Sequence, residues 1–347
     1  MSVQYAAACG RSTPFDARQC QPAVERFIAA RLLGRRFDSF REASAWVDEA
    51  VCDEPWGTAV SFGLSQAFLM AAAQSRGTSM AEVVRREYAI DYDAEPSLVL
   101  AQTDSHAFDV IDRMLMKEAD VLPHANFVRP TQLGAEGQEF SKYVDGVCER
   151  YRAKGQGRAV TLHFDLYGTL GVLFEGDTKR VARFVSDLGA RVRPLPLQIE
   201  TPILGRDQVE HFRLMAEVKR RLVELDSRVE LIVDEWCNDR HDLERAIAGD
   251  VAHIYHIKMP DLGALHNSIE AVLLCRSAGV KSYLGGSSNE TEVSARASAH
   301  IVAVVGPYQC LAKPGMGVDE GLMVTKNELE RVRLMRSGVS IASSPRR

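Results

Sequence analysis

The sequence predicts an α/β protein whose larger part is a (β/α)8-type TIM barrel, and three observations carry that expectation. Between residues 96 and 336, apolar runs rich in β-branched residues alternate eight times with amphipathic segments of helical spacing. The runs are apolar on both faces, as parallel strands are when helices cover them. Eight such units within about 220 residues match the period and size of a closed barrel. An open, doubly wound sheet is the alternative. It would usually carry a glycine-rich phosphate loop after its first strand, and the segment QTDSHAF is no such loop.

In chain order, the first ninety residues read as helices. PAVERFIAARLL, FREASAWVDEAV (40–51) and WGTAVSFGLSQAFLMAAAQSR (56–76) place apolar residues at helical spacing, and SMAEVVRREY (79–88) follows a Gly-Thr start. The acidic, proline-bearing DYDAEP (91–96) is the expected boundary. The strands that follow read as SLVLAQ (97–102), VLPHAN (121–126), AVTLHFDL (159–166), LPLQIETPI (195–203), VELIVDEW (229–236), AHIYHIKM (252–259), KSYLGGS (281–287) and YQCLAKP (308–314). The chain therefore divides into a mainly helical unit (1–95), a barrel with a C-terminal helix (96–336) and a frayed tail (337–347).

Composition narrows the function classes. Lys and Arg number 42 against 47 Asp and Glu, a net charge of −5. A mildly acidic chain lacks the basic footprint of a nucleic-acid binder. Apolar runs such as AVLLC and IVAVV fall far short of the ~20 residues that a membrane helix needs. The N-terminus lacks a basic segment followed by an apolar one, so it does not read as a secretory signal. The seven cysteines form no CxxC clip, which fits thiols kept reduced in the cytoplasm.

In a barrel of this kind, chemistry sits where the strands end. The first strand ends in Gln102, the second in His124, the third in Asp165, the fourth in Glu200, the fifth in Asp234 and the sixth in Lys258. The seventh runs into Ser287 and Ser288, and the eighth passes Leu311 toward Lys313. Any one of the acids reads equally well as a solvated loop residue. Three on consecutive strand ends would repel one another, and a divalent cation relieves that repulsion. Oxygen ligands with positions left for water and substrate describe Mg2+. Lys258 beside such an ion is expected to have its ammonium form disfavoured, so that it serves as a base near neutral pH. His124 on the opposite wall completes an arrangement for taking a proton from a carbon next to a carboxylate.

The strings ADVLPHA (119–125), HFDLYGTLG (163–171), VDEWCN (233–238), IKMPDLG (257–263), GGSSNET (285–291), LAKPGMGVDEG (311–321) and KNELERV (326–332) resemble the 3-methylaspartate ammonia-lyase family of the enolase superfamily. The match runs in register over roughly residues 56 to 335. The resemblance implies a (β/α)7β-like barrel, a Mg2+ ion, a response to a monovalent cation such as K+, and a cytoplasmic homodimer engaged in amino-acid degradation. It implies elimination of ammonia from L-threo-3-methylaspartate, or a close amino diacid, to give mesaconate. It puts the metal ligands on Asp165, Glu200 and Asp234, the (S)-specific base on Lys258, and the opposite catalytic, substrate-contacting histidine on His124. Substrate contacts fall on Gln102, Leu311 and Gln4, the last within the string VQY.

Departures from the family concentrate in the substrate pocket. His256 stands where the family has glutamine, and Ser287-Ser288 where it has Thr-Cys. The VQY string stands at residues 3–5, so the β strands that precede it in the family's capping domain are not part of the sequence. The expectation is an incomplete, mainly helical cap, in a shortened homologue or a chain whose start lies upstream. Three readings follow: the Mg2+-dependent carbon–nitrogen lyase, an enolase-superfamily enzyme for another acid, and a non-catalytic barrel. Retention of the three carboxylates and Lys258 favours the first.

Overall fold

A computed structural model describes residues 2–3, 15–54, 56–103, 106–287 and 290–337. Gln4, Ser288, Cys9 and all but the first residue of the expected tail lie outside them. Near the N-terminus, Ser2–Val3 pairs antiparallel with Phe15–Asp16. Four helices follow: α1 (Ala17–Phe27), which runs on into a π-helical turn, then α2 (Phe40–Ala50), α3 (Gly57–Ser75) and α4 (Met80–Glu87). Ser39 and Ser79 start α2 and α4 by accepting hydrogen bonds from Glu42 N and Glu82 N, which satisfies backbone donors that a first turn leaves unpaired.

The barrel then alternates strand and helix without interruption. Its strands are β1 (Leu98–Ala101), β2 (Val121–Asn126), β3 (Thr161–Asp165), β4 (Leu197–Glu200), β5 (Glu230–Val233), β6 (Ile254–Lys258), β7 (Lys281–Gly285) and β8 (Gln309–Ala312). All eight are parallel, and the sheet closes where β8 pairs with β1. A helix or helix pair follows every strand, the eighth included, and the last runs over Val318–Arg336. Side chains alternate along each strand. Leu162, Phe164, Ile199, Leu231, Val233, Tyr255 and Ile257 pack outward under the helices. Leu100, Val121, Ile232, Ile254, Tyr283 and Leu311 form a separate cluster that fills the barrel interior. The same parity turns His163 and Asp165, Glu200, Asp234, and His256 and Lys258 inward, above that floor.

The second run coincides with β2, and the other seven strands are shorter than their apolar runs, because apolar residues beyond the last ladder bond still bury themselves. In the fourth run the ladder stops at Glu200; Thr201 takes φ of 40° and ends it, although Ile203 remains buried. Glu200 ends its strand as expected, whereas His124 does not. It lies within β2, at a register shift between Pro123 and Ala125, with φ of 42°. Such a bulge adds one residue and re-aims the side chain beside it, which brings His124 to the inside without disturbing the outward Leu122 and Ala125.

The N-terminal helices sit on the segment that directly follows Lys258. Asp48 accepts hydrogen bonds from Ala264 N (3.1 Å) and Asn267 Nδ2 (2.8 Å), and Ser65 Oγ accepts one from Leu265 N (2.9 Å). Val47, Val51, Trp56 and Val60 pack with Ala264 in one apolar cluster. Gly263, with φ of +78°, allows the approach: a Cβ there would press on Asp48 Oδ1 (2.7 Å) and Ser61 Oγ (2.8 Å). The described cysteines are free thiols, and no described helix is long and apolar enough to cross a membrane.

Candidate active site

Five consecutive strands, β2 to β6, supply the centre of the site. Register sets Asp165 level with Glu200 and Asn126 level with Asp165, so the last residues of β2, β3 and β4 share one tier. Asp234 follows β5 directly, and Lys258 closes β6.

Glu200 is the hub. It is fully buried, and each of its oxygens meets an imidazole: His163 Nε2 lies 2.8 Å from Oε2 and His256 Nδ1 lies 2.9 Å from Oε1. His256 Nδ1 is also 3.3 Å from Asp234 Oδ1. The other oxygen of Asp234 accepts from Lys258 Nζ at 3.1 Å. His124 Nε2 stands 3.5 Å from Glu200 Oε2 and 3.7 Å from Asp165 Oδ2, with Tyr283 Oη 3.4 Å from its Nδ1. Two ring stacks fix the imidazole planes: His124 on His163 at 4.3 Å between centroids, and His256 on Tyr283 at 4.1 Å.

The electrostatics follow from burying five carboxyl groups together: Asp165, Glu200, Asp234, Glu235 and Asp261. Burial, then the charges of Glu200, Glu235 and Asp234, hold the Asp165 carboxyl well above its ordinary range. Glu235, which accepts from Thr201 Oγ1 at 2.7 Å, is pushed up to about 7 by burial and by Asp234. Burial lifts Asp261 to about 6. Burial works against the charge of Glu200 too, but His256, His163 and His124 outweigh it and hold this carboxyl well below its usual range. Burial and His163 push the His124 imidazole well below the ordinary histidine range.

Lys258 differs from the sequence expectation. Burial does oppose its charge, but Asp234, Asp261 and Glu235 outweigh burial and raise the ammonium above the ordinary lysine range. Carboxylates that would neutralise a cation hold the lysine proton when they face it alone.

The donor set fits a divalent cation. Two groups of ligand atoms lie close enough to share an ion: His124, His163 and Glu200, and Glu200, Asp234 and His256. Asp165 belongs to neither group and is joined to them through His124. Buried polar atoms without a hydrogen-bond partner stand around them: His163 Nδ1, His256 Nε2 and Asp261 Oδ1. Carboxylate oxygens with imidazole nitrogens suit hard and borderline dications.

The remaining predicted residues line the same end of the barrel. Gln102 is half-buried just past β1, and Leu311 is buried in β8 among the interior floor residues. Ser287 is buried beyond β7, where its N–H donates to Glu290 Oε1 at 2.8 Å. Lys313 is buried against them, its Nζ 3.0 Å from Glu290 Oε2. Gln4 and Ser288 lie outside the described residues. Sequence reasoning passed over His163, Glu235, Asp261 and Tyr283. The available signal was parity: His163 stands two residues before Asp165 on one strand, hence on the same face.

Comparisons with known proteins give the family and the fold. The family model described as methylaspartate ammonia-lyase C-terminus matches residues 92–337, and that described as methylaspartate ammonia-lyase N-terminus matches residues 1–89. The chain is 38% identical over 337 residues to methylaspartate ammonia-lyase 1 of Carboxydothermus hydrogenoformans, covering 95% of this chain and 80% of that one. It superposes with a TM-score of 0.91 on Citrobacter amalonaticus methylaspartate ammonia lyase containing (2S,3S)-3-methylaspartic acid, at 36% identity over 96% of this chain and 82% of that one. The Mg-complex of beta-methylaspartase from Clostridium tetanomorphum gives a TM-score of 0.89 at 36% identity, over 97% of this chain and 82% of that one.

Proposed function

Because the chain belongs to the methylaspartate ammonia-lyase family, we propose that it is a carbon–nitrogen lyase that removes ammonia from L-threo-3-methylaspartate, or a close amino diacid, to give mesaconate. The observation that carries this reading is Lys258 Nζ, 3.1 Å from Asp234 in a buried surplus of carboxylates at the barrel mouth.

Asp165, Glu200 and Asp234 would hold Mg2+, and a bound dication would supply positive charge to the substrate carboxylate on which negative charge grows. With Asp234 holding a dication, the largest of the charges that raise Lys258 would be offset, and Lys258 serves as the base in its neutral amine form. It accepts the proton from the substrate carbon next to the carboxylate. The electron pair left behind forms the carbon–carbon double bond as the neighbouring carbon–nitrogen bond breaks, and ammonia leaves with its own pair. His124 stands on β2, four strands round an eight-stranded barrel from Lys258 on β6, and so faces the opposite side of the substrate. As a neutral imidazole it offers one donor and one acceptor there. Burial of Asp165, Glu200, Asp234, His124 and His256 supports a site that limits the access of water.

The family resemblance also supports a homodimer, a cytoplasmic setting in glutamate catabolism, a monovalent cation such as K+ as activator, and residues 1–95 as capping-domain elements beside the barrel. Gln102, His256, Ser287 and Leu311 form the remaining wall for the substrate in this reading. An altered acid substrate is the second reading. It is favoured by His256, whose Nδ1 is turned onto Glu200 and Asp234.

The test is the ultraviolet absorbance of the conjugated diacid, followed with Mg2+, after chelation and after Mg2+ is restored. Turnover that chelation abolishes and Mg2+ restores is expected. No turnover of methylaspartate, aspartate or other amino diacids in the presence of Mg2+ would overturn the reading.

A further inference from the structure

We propose that His256 contributes its Nδ1 as a nitrogen ligand to the divalent-cation site, so that the site takes a borderline dication such as Mn2+ more tightly than Mg2+. The inference rests on the cation site proposed above and adds a ligand to it.

The argument is one of space. Nδ1 lies 2.9 Å from Glu200 Oε1 and 3.3 Å from Asp234 Oδ1. Neighbouring ligand atoms around a six-coordinate ion with bonds of about 2.1 Å are roughly 3 Å apart, so these separations, a hydrogen bond and an ion-pair contact in this structure, also match the edges of a coordination shell. A cation bound to both oxygens therefore meets Nδ1. A proton on Nδ1 and a cation between the two carboxylates cannot share one place. When the cation is there, the ring carries its proton on Nε2 and presents the Nδ1 lone pair.

The ring has little freedom to turn away. One face stacks on Tyr283. Its Nε2 abuts Gly285, where any Cβ would collide with it. The second oxygen of Asp234 is held by Lys258 Nζ, which leaves Oδ1 directed to His256 and Glu200. The alternative group, His124, His163 and Glu200, offers one carboxylate where this one offers two, and a dication favours the greater negative charge. An imidazole nitrogen added to carboxylate oxygens shifts preference along the Irving–Williams order, away from Mg2+ and toward later divalent metals.

The experiment is metal binding and pulsed electron paramagnetic resonance on the full chain loaded with Mn2+. Loss of the free Mn2+ signal gives affinity, competition with Mg2+ gives selectivity, and nitrogen hyperfine coupling reports a directly bound imidazole. The expected result is a nitrogen coupling in the unaltered protein that His256→Gln removes and His163→Gln retains. His256→Gln should weaken Mn2+ binding about ten-fold or more, with a smaller change for Mg2+. If His256→Gln fails to fold, Gly285→Ala serves instead, since its methyl must displace the ring, and it should remove the same coupling. Mn2+ binding without a nitrogen coupling, or with one that survives loss of His256, overturns the proposal and leaves the cation site standing. Absence of specific binding by either ion overturns the cation site itself.

Discussion

Two lysines stand at the barrel mouth, Lys258 half-buried and Lys313 buried, in opposite kinds of surroundings. Lys258 shares Asp234 with His256 and faces Asp261 and Glu235 as well, among polar atoms that lack partners. Lys313 is more deeply buried, its side chain 1% exposed against 15% for Lys258. Its Nζ lies 3.0 Å and 3.2 Å from the two oxygens of Glu290 and donates to the Gly285 carbonyl at 3.4 Å. One carboxylate and one ammonium neutralise each other there, and Glu290 also takes the Ser287 N–H. The β3–β6 wall holds more negative charge than it can compensate, which invites a cation and a proton transfer. The β7–β8 wall is electrically closed, which suits a scaffold for the loop that carries Ser287.

Removing each lysine should break the comparison in a different way. Lys258→Ala is expected to lower the rate of diacid formation by about 10²–10⁴-fold, the contribution of a positioned base, with a smaller loss in urea unfolding than Lys313→Met, because Lys258 is 15% exposed and Asp234 keeps its contact with His256. Lys313→Met is expected to cost about 3–5 kcal/mol in the same unfolding measurement, because Glu290 would remain buried without its partner. If Lys313→Met unfolds like the unaltered protein and Lys258→Ala does not, the roles assigned to the two walls are exchanged.

The barrel was legible in the sequence because its determinants are local. Apolar runs such as VELIVDEW and AHIYHIKM, separated by helices, admit few other arrangements, and the polar residue at each strand end marks the mouth. What the sequence concealed is lateral. Nothing in HFDLYG says that the His163 imidazole reaches across to Glu200 on the next strand, and nothing in LPHAN marks the register shift that turns His124 inward. The charge state of Lys258 was hidden for the same reason: it depends on Asp261 and Glu235, which come close only after folding. His256 could be singled out by resemblance, but its attachment to both Glu200 and Asp234 needed coordinates.

Histidines away from the cation site give a third contrast. His253 Nδ1 accepts the Leu231 N–H at 2.9 Å, and His211 Nδ1 lies 3.4 Å from Gly205 N, so both imidazoles are held neutral. Burial lowers each to about 4. A histidine depressed in the folded state contributes nothing to pH dependence above its unfolded value near 6.5. As pH falls from there toward about 4, the unfolded chain takes up protons that the folded one refuses, and stability is lost. The loss should reach up to about 3 kcal/mol for each residue. His253→Gln should flatten the fall in unfolding free energy between these pH values. An unchanged profile would mean that the imidazole is not kept neutral.

The smallest expected effects come from two adjacent glycines, and they separate the walls most finely. A Cβ at Gly285 would run into the His256 imidazole, whereas one at Gly286 would run into Glu290 Oε1 and approach Lys313 Nζ to 2.6 Å. One added methyl is the same perturbation in both cases, so any difference reports what each residue leans on. Gly286→Ala must push the Glu290–Lys313 pair apart or shift the loop, and is expected to cost about 1–3 kcal/mol of stability, the usual range for overpacking. Its affinity for Mn2+ or Mg2+ should match that of the unaltered protein, because the closed pair has no part in holding the cation. Gly285→Ala should show the reverse emphasis, with metal binding disturbed through the turned imidazole. Calorimetric metal titration beside urea unfolding measures both quantities on each variant. If Gly286→Ala weakens metal binding as much as Gly285→Ala does, the two walls act as one unit and the distinction between the lysines falls with it.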